Sequence, residues 1–139
     1  MEGERTMVEQ RSEALQLLRV YQSQMEAMAN QSALISLSIN DAKQAIETVS
    51  SYKGIKESEE ILIPVGTEIF IRGYAKSDDR ALLRVGGDVY IYKGFDDVLK
   101  GLEEKRSKLE ELKKKVDSDL CAIEDEAAKL VGLIQGQQF

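Results

Sequence analysis

The chain contains no histidine and no tryptophan, and among its 139 residues it has one cysteine, one proline and only 6% aromatic residues. Without histidine it lacks the commonest acid–base group of enzymes and the commonest metal ligand. The lone Cys121 leaves no partner for an internal disulfide, which is typical of a reducing compartment. Because aromatic side chains supply much of the buried area of a globular core, their scarcity argues against a large compact core.

The sequence also lacks an excess of basic residues and any long apolar run. The net charge is −6 and the pI is about 4.8, which disfavours binding to nucleic acid or to an anionic membrane through charge. No stretch approaches the ~20 apolar residues of a membrane-spanning helix. The opening segment MEGERTMVEQ lacks the apolar run of a signal peptide. We therefore expect a soluble, cytoplasmic protein with no nucleic-acid or membrane partner.

Enzyme chemistry finds no support in the residues that are present. The sequence has no glycine loop of the kind that binds nucleotide phosphates. Cys121 lies in a helical pattern with no partner base, which favours a structural thiol over a nucleophile. The acidic pairs Asp78-Asp79 and Asp96-Asp97 fit a turn and a helix start. We predict that the chain is not an enzyme and binds no metal or cofactor.

A first long helix is predicted over residues 9–53. Charged residues make up 32% of the whole chain. The apolar residues of this helix alternate three and four positions apart, which is the pattern of a left-handed coiled coil, and only Ser32 interrupts them. Gly54 follows as a stop signal. The stripe consists of Ala14, Leu18, Tyr21, Met25, Met28, Ser32, Ile35, Ile39, Ala42, Ile46 and Val49.

A second helix is predicted over residues 95–135, with Gly94 as its N-cap. Its stripe is weakest at Lys105, and the two consecutive four-residue steps from Leu112 to Val116 and on to Leu120 predict a stutter that locally unwinds the supercoil. Because neither helix can bury its stripe alone, we expect the two to pair antiparallel. The stripe consists of Phe95, Val98, Leu102, Leu109, Leu112, Val116, Leu120, Ile123, Ala127, Leu130 and Ile134.

Between the helices, residues 60–92 are predicted to form about four short strands in two β-hairpins. The polar segment AKSDDRA and the glycines of VGGDV are turn-forming, and Pro64 belongs at a strand end or edge. A small isolated sheet cannot cover so many apolar side chains, so we expect these strands to pair with strands of other chains. Folding of the hairpins over their own helices is the alternative. The predicted oligomerisation residues are Ile61, Ile63, Val65, Ile69, Ile71, Leu83, Val85, Val89 and Ile91.

The most specific segments of the chain are LIPVG at residues 62–66, LLRVGGDVYI at residues 82–91 and LRVYQSQMEAM at residues 18–28. Together these segments resemble prefoldin, and specifically its alpha-class subunits. The first is similar to the family's entry to the first hairpin, the second to its second motif, and the third to its first helix. The chain departs from the family at Asp88, where glycine is common, at Tyr90, which lies one place late, and at Gly94, where a serine or threonine cap is usual. Two hairpins are the alpha-class feature.

The resemblance implies an α+β fold, in which a long antiparallel coiled-coil helical hairpin is joined by two β-hairpins that form an intersubunit β-barrel platform. All of residues 1–139 would form a single prefoldin-like domain. It also implies a hexamer with beta-class subunits that holds unfolded client proteins at the coiled-coil tips without ATP and delivers them to a group II chaperonin. The candidate client-binding residues at the tips are Met7, Val8, Leu15, Leu17, Val131, Leu133, Ile134 and Phe139.

Two other functions fit the helices alone. A structural coiled-coil tether would use the same helices, but it needs no strands for pairing between chains. An RNA-binding helical arm needs basic residues along one face, and the acidic composition argues against it. Suppression of the aggregation of an unrelated denatured protein would separate a chaperone from a tether.

Overall fold

The computed structural model describes residues 6–76 and 78–136. It confirms the predicted order of a long helix, two antiparallel β-hairpins and a second long helix. Within the described residues the elements are α1 (Met7–Lys53), β1 (Glu60–Gly66), β2 (Ile69–Tyr74), β3 (Arg80–Gly86), β4 (Val89–Gly94) and α2 (Phe95–Gly136).

Contacts divide the chain into two compact units. The helical unit contains the described residues of Met1–Ile39 and Lys108–Phe139, and the hairpin unit is Asn40–Ser107. Both units are built from the same two helices, because α1 and α2 each contribute a segment to both.

The N-terminus of α1 is capped by a residue that the sequence analysis missed. The Oγ1 of Thr6 accepts a hydrogen bond from the N–H of Glu9 (3.1 Å), and the carbonyl of Thr6 accepts one from the N–H of Gln10 (3.1 Å). The segment TMVE has the threonine and glutamate spacing of a capping box, and that spacing was the available signal. The helix therefore begins at Met7, two residues before the predicted start.

The apolar stripe of α1 is buried or half-buried at every predicted position. In the helical unit Ala14 packs against Leu130 and Ile134, whereas Ile35 and Ile39 pack against Val116. Residue numbers rise along α1 as they fall along α2, so the two helical segments run antiparallel, as predicted.

The predicted stutter in α2 is wrong in position. Leu112 is 43% exposed, and the half-buried Lys113 takes its place in the stripe. From Leu102 onward one series of buried and half-buried positions alternates strictly by four and three, and the half-buried Asp117 and Val131 lie next to it. The consecutive four-residue steps lie instead at Val98, Leu102 and Arg106, where Arg106 replaces the predicted Lys105. In order, the stripe from Leu102 is Leu102, Arg106, Leu109, Lys113, Val116, Leu120, Ile123, Ala127, Leu130 and Ile134.

A polar layer explains why a lysine occupies the stripe of α2. The Nζ of Lys113 donates hydrogen bonds to Oδ2 of Asp117 (2.6 Å) and to Oγ of Ser32 (3.2 Å), and Oγ of Ser32 donates to Oδ1 of Asp117 (2.6 Å). The hydrogen bonds from Lys113 and then from Ser32 hold the pKa of Asp117 below its ordinary value. Ser32 is buried, so the interruption predicted in α1 is one part of a bonded group that spans the two helical segments.

The two hairpins are structural repeats with a period of 20 residues. In the first, β1 pairs with β2 from Glu60↔Tyr74 to Gly66↔Ile69, and Val65 is bulged out of the register. Adding 20 to each residue number gives the pairing of β3 with β4, from Arg80↔Gly94 to Gly86↔Val89, with the bulge at Val85.

The turns of the two hairpins differ in backbone conformation. Glu68 has a φ of 59° at the second central position of the first turn, whereas Gly87 has a φ of 50° at the first central position of the second turn. This left-handed region costs glycine little and other residues more. Gly87 therefore suits the backbone conformation of the second turn, whereas the first turn holds Glu68 in a conformation that favours glycine.

Candidate assembly site

Each hairpin has two faces, because successive side chains of a strand point to opposite sides of the sheet. Ile63 is paired with Ile71, and Leu83 with Ile91, so the odd-numbered positions share one face of each hairpin. We call this the aliphatic face, and its large side chains are Ile61, Ile63, Ile69, Ile71, Leu83, Val89 and Ile91. We call the opposite side the aromatic face, and its large apolar side chains are Leu62, Phe70, Tyr74, Leu82, Tyr90 and Tyr92.

Both faces are uncovered in the single chain. Ile69 on the aliphatic face and Phe70 on the aromatic face are each 59% exposed. Of the nine predicted oligomerisation residues, Ile61 and Leu83 are half-buried and the other seven are exposed. Apolar surface of this extent is typical of sites at which proteins associate.

The sequence analysis selected only the aliphatic face and the bulged valines. It missed the exposed residues of the aromatic face, because it took β-branched and aliphatic residues at alternate positions as the pattern to be buried. Phe70, Tyr74, Tyr90 and Tyr92 also recur at alternate positions, and that spacing was the signal for a second apolar face.

Two contacts on the aromatic face occupy equivalent positions in the repeat. The Nε of Arg72 lies 3.1 Å from Oε1 of Glu60, and the guanidinium of Arg80 lies 5.1 Å from the ring centre of Tyr92. Adding 20 to Glu60 and Arg72 gives Arg80 and Tyr92, so an ion pair in one hairpin corresponds to a cation–π contact in the other. These side chains are largely exposed, so each contact stabilises its hairpin only weakly.

Contacts within the hairpin unit tie the strands to the ends of the helices. The rings of Tyr52 and Phe95 meet edge to face with centroids 5.8 Å apart, and the hydroxyl of Tyr52 donates to the carbonyl of Lys76 (3.3 Å). Lys53 and Asp96 form an ion pair between the last turn of α1 and the first turn of α2. The base of the hairpins is therefore fixed by packing, while the strand faces remain free.

A second candidate surface is the set of predicted client contacts, which belongs to the helical unit. Leu15, Leu17 and Leu133 are exposed, as are Met7 and Val8, and Val131 is half-buried. Leu15, Leu17, Val131 and Leu133 lie beside the buried stripe positions rather than at them.

Ile134 requires a correction within this set. It is only 7% exposed, because it holds a stripe position and packs against Ala14 and Leu130, so its side chain is not on the surface. Its carbonyl accepts a hydrogen bond from Nη1 of Arg11 (3.1 Å), which joins the two helical segments. Phe139 lies outside the described residues.

Over the described residues, neither helix contains a stretch long and apolar enough to cross a membrane.

Comparison with known proteins agrees with this architecture. A family model described as "Prefoldin subunit" matches residues 21–138. The chain belongs to the prefoldin family. Prefoldin subunits are chaperones, and the family is non-enzymatic.

Several relatives with similar sequences are alpha-class prefoldin subunits, as the resemblance implied. The prefoldin subunit alpha of Methanococcus maripaludis is 32% identical over 103 residues, which cover 74% of this chain and 69% of that protein.

Solved prefoldins share the fold at lower sequence identity. The filamentous PFD of Methanocaldococcus jannaschii, solved by cryo-EM, matches with a TM-score of 0.71 at 20% identity and covers 84% of this chain and 97% of that one. The prefoldin beta subunit from Thermococcus strain KS-1, a crystal structure, matches with a TM-score of 0.64 at 17% identity and covers 91% and 90%.

Proposed function

We propose that this chain is the alpha-class subunit of a hetero-oligomeric prefoldin that captures unfolded proteins without ATP and delivers them to a group II chaperonin. The observation that carries the proposal is the exposure of both faces of both hairpins. A two-stranded hairpin is marginally stable alone in water. Strands of other subunits therefore have to cover these faces in the working protein.

In the proposed assembly the aliphatic face lines the interior of a β-barrel shared with beta-class subunits in a hexamer. The aliphatic face carries only apolar side chains at its central positions, from Ile63↔Ile71 in one hairpin to Leu83↔Ile91 in the other. The aromatic face carries Arg72, Arg80 and Arg84 among its aromatic residues, which suits a partly wet outer surface. Closing the barrel also removes the open strand edges that invite aggregation.

Client proteins would bind at the exposed apolar residues of the helical unit. Val8, Leu17 and Leu133 lie near the two chain ends and outside the buried stripe. One such side chain contributes a weak contact with no sequence requirement. Several subunits acting together would raise the overall affinity through effective concentration, which suits the holding of many different unfolded chains.

The test is suppression of the aggregation of an unrelated denatured protein by the complex of this chain with a beta-class prefoldin subunit, measured by light scattering without ATP. The end variant combines Val8→Ser, Leu17→Ser and Leu133→Ser. Its matched control combines Val20→Ser, Leu34→Ser and Leu37→Ser, which removes one exposed valine and two exposed leucines elsewhere on α1.

We expect the end variant to need several times more complex for the same suppression, and the control to act like the wild type. Equal loss in both variants would contradict the assignment of the client-binding residues. A wild-type complex that assembles but suppresses no aggregation would favour the structural tether instead. Release of the held protein on addition of a group II chaperonin tests the delivery step.

A further inference from the structure

Two hydrogen bonds at the base of the hairpins determine which backbone groups of the strands face outward. The N–H of Ala75 donates to the carbonyl of Glu59 (2.8 Å), and the N–H of Phe95 donates to the carbonyl of Asp79 (2.9 Å). In an antiparallel ladder, pairs that exchange hydrogen bonds alternate with pairs whose N–H and C=O groups point away from the partner.

Hydrogen-bonded and non-hydrogen-bonded pairs alternate along the register of both hairpins. The hydrogen-bonded pairs are the odd-numbered ones, for example Ile63↔Ile71 and Leu83↔Ile91. The even-numbered residues therefore direct their backbone N–H and C=O groups to the outer edges of the strands. On the outer edge of β1 these residues are Glu60, Leu62 and Pro64, and on the outer edge of β3 they are Arg80, Leu82 and Arg84.

The two edges are equivalent in the repeat but not in their hydrogen-bonding capacity. Pro64 has no N–H, so the edge of β1 lacks its third donor. Arg84, the residue 20 positions later, keeps its N–H, so the edge of β3 has all three. A strand added along β3 can form a complete ladder, whereas a strand added along β1 loses a bond at Pro64.

We propose that, of the two equivalent edges on β1 and β3, the outer edge of β3 is the one along which a strand of a beta-class prefoldin subunit is added through a complete ladder, because the edge of β1 is interrupted at Pro64. This inference rests on the assembly given under the proposed function, and it assigns a specific edge and a specific backbone donor to that assembly.

The charge of the edge disfavours the β3 edge of a second copy as its occupant. β3 brings Arg80 and Arg84 to this edge, and the side-chain contact described for Arg84 is with the neutral carbonyl of Gly87 (Nε to O, 2.9 Å). Arg80 is paired with the exposed Asp78 (3.4 Å). The β3 edge of a second copy would bring the same two arginines, and like charges on neighbouring strands are destabilising. A strand with an acidic side chain facing Arg84 fits the edge better.

The equivalence of Pro64 and Arg84 in the 20-residue repeat also suggests how to test the role of the β3 edge. Pro64 shows that the hairpin geometry accepts proline at this position, so Arg84→Pro removes the outward N–H without removing a bond of the hairpin itself. Arg84→Ala is the matched variant, because it deletes the guanidinium but keeps the N–H. The measurement is the dissociation constant of each variant with a beta-class prefoldin subunit, with native mass spectrometry for the composition of the complexes.

We expect Arg84→Pro to bind the beta-class subunit about tenfold or more weakly than Arg84→Ala, because the partner's carbonyl loses its donor in a buried ladder. Equal affinities of the two variants would overturn the inference while leaving the proposed function intact. Failure of the wild-type chain to bind any beta-class subunit would instead contradict the proposed function. A wild-type homodimer that Arg84→Pro dissociates would overturn the choice of occupant.

Circular dichroism and thermal melting of the unmixed chains check that Arg84→Pro remains folded. If it does not, the same N–H can be removed by placing the hydroxy-acid analogue of arginine at position 84, which replaces the amide with an ester and retains the side chain. Binding of this ester variant as tightly as the wild type would also overturn the inference.

Discussion

At the scale of single residues, the helical unit depends on a polar group placed where an apolar residue is usual. Ser32 and Lys113 both occupy stripe positions, and Asp117 bonds to both of them. A polar residue in a coiled-coil stripe specifies the register of the two helices at a cost in stability. Hydrogen bonds to the charged form of Asp117 lower its pKa. Protonation of Asp117 in acid therefore weakens its bonds to Lys113 and Ser32.

The first prediction concerns Asp117→Asn. Because the folded-state pKa of Asp117 lies below its ordinary value of 3.8, its charge stabilises the folded chain above that value, and the contribution disappears as the pH falls through the lowered folded-state pKa. We therefore expect the variant to be less stable than the wild type at pH 7 and the difference to shrink with acidification. Urea denaturation of both chains across this pH range measures the effect.

Asp119→Asn is the control for this prediction, because Asp119 lies two residues away and outside the polar layer. Because Asp119 is exposed, Asp119→Asn should lower the free energy of unfolding at pH 7 less than Asp117→Asn does. A stability difference between wild type and Asp117→Asn that stays constant into the acid range would contradict the proposed role of the charge.

At the scale of elements, the two helices were predictable because burial follows the spacing of apolar residues. The spacing led to an error only where charged residues enter the stripe of α2. Lys113 and Arg106 are half-buried because their long apolar stems can pack while their charged ends reach polar partners or water. A reading based on apolar residues alone assigned Leu112 to the stripe instead.

The second prediction tests the corrected register with the same substitution at two nearby positions. Leu109→Ala should destabilise the chain by about 2 kcal/mol or more, because Leu109 packs against the cluster of Ile35, Ile39 and Val116. Leu112→Ala should cost less than about 1 kcal/mol, because Leu112 is largely outside the stripe. Chemical denaturation followed by circular dichroism measures both. Equal costs would restore the register predicted from the sequence.

The hairpins were also predictable as elements, since paired turns and alternating residues mark them. Their full interaction surface was not predictable, because a residue pattern shows which side chains are apolar but not which remain uncovered. Leu62 and Tyr92 were passed over, yet they are as exposed as the selected Ile69 and Val89. The reason is physical: two-stranded sheets leave both faces open, whereas the selected residues were the β-branched and aliphatic ones, which lie on one face and at the bulges.

At the scale of the whole molecule, the fold separates a unit that buries its own stripe from a unit that leaves its apolar strands uncovered. The helical unit contains two buried clusters and the polar layer. The hairpin unit buries Ala75 and Phe95 at the base of its strands but leaves the strand faces exposed. Loss of assembly is therefore expected to spare the helical unit.

The third prediction follows from this separation. The double variant Ile71→Lys and Ile91→Lys places two charges on the aliphatic face, where burial of an unpaired charge is costly. We expect the complex with beta-class subunits to be lost, while the isolated chain keeps its helical circular dichroism signal. Suppression of aggregation should fall with it, because isolated chains lose the gain from multiple contacts. Native mass spectrometry and light scattering measure the two effects.

Lys93→Ala is the control for the double variant, because it changes an exposed charged residue on the same face of the second hairpin without adding charge. It should assemble like the wild type. A double variant that still forms the complex would contradict the placement of the aliphatic face in the interior of a shared barrel.

The 20-residue period has a consequence for how chains of this kind can gain or lose a hairpin. Removing residues 67–86 would join Gly66 directly to Gly87, and the next residues would retain the spacing that pairs Glu60 with Gly94 and Pro64 with Tyr90. One complete hairpin would remain, with a glycine in its turn and β4 still leading into α2. Because strands are removed two at a time, the chain would enter the second helix in the same direction as before. A single in-frame excision thus converts a two-hairpin chain into a one-hairpin chain without changing a residue of either helix.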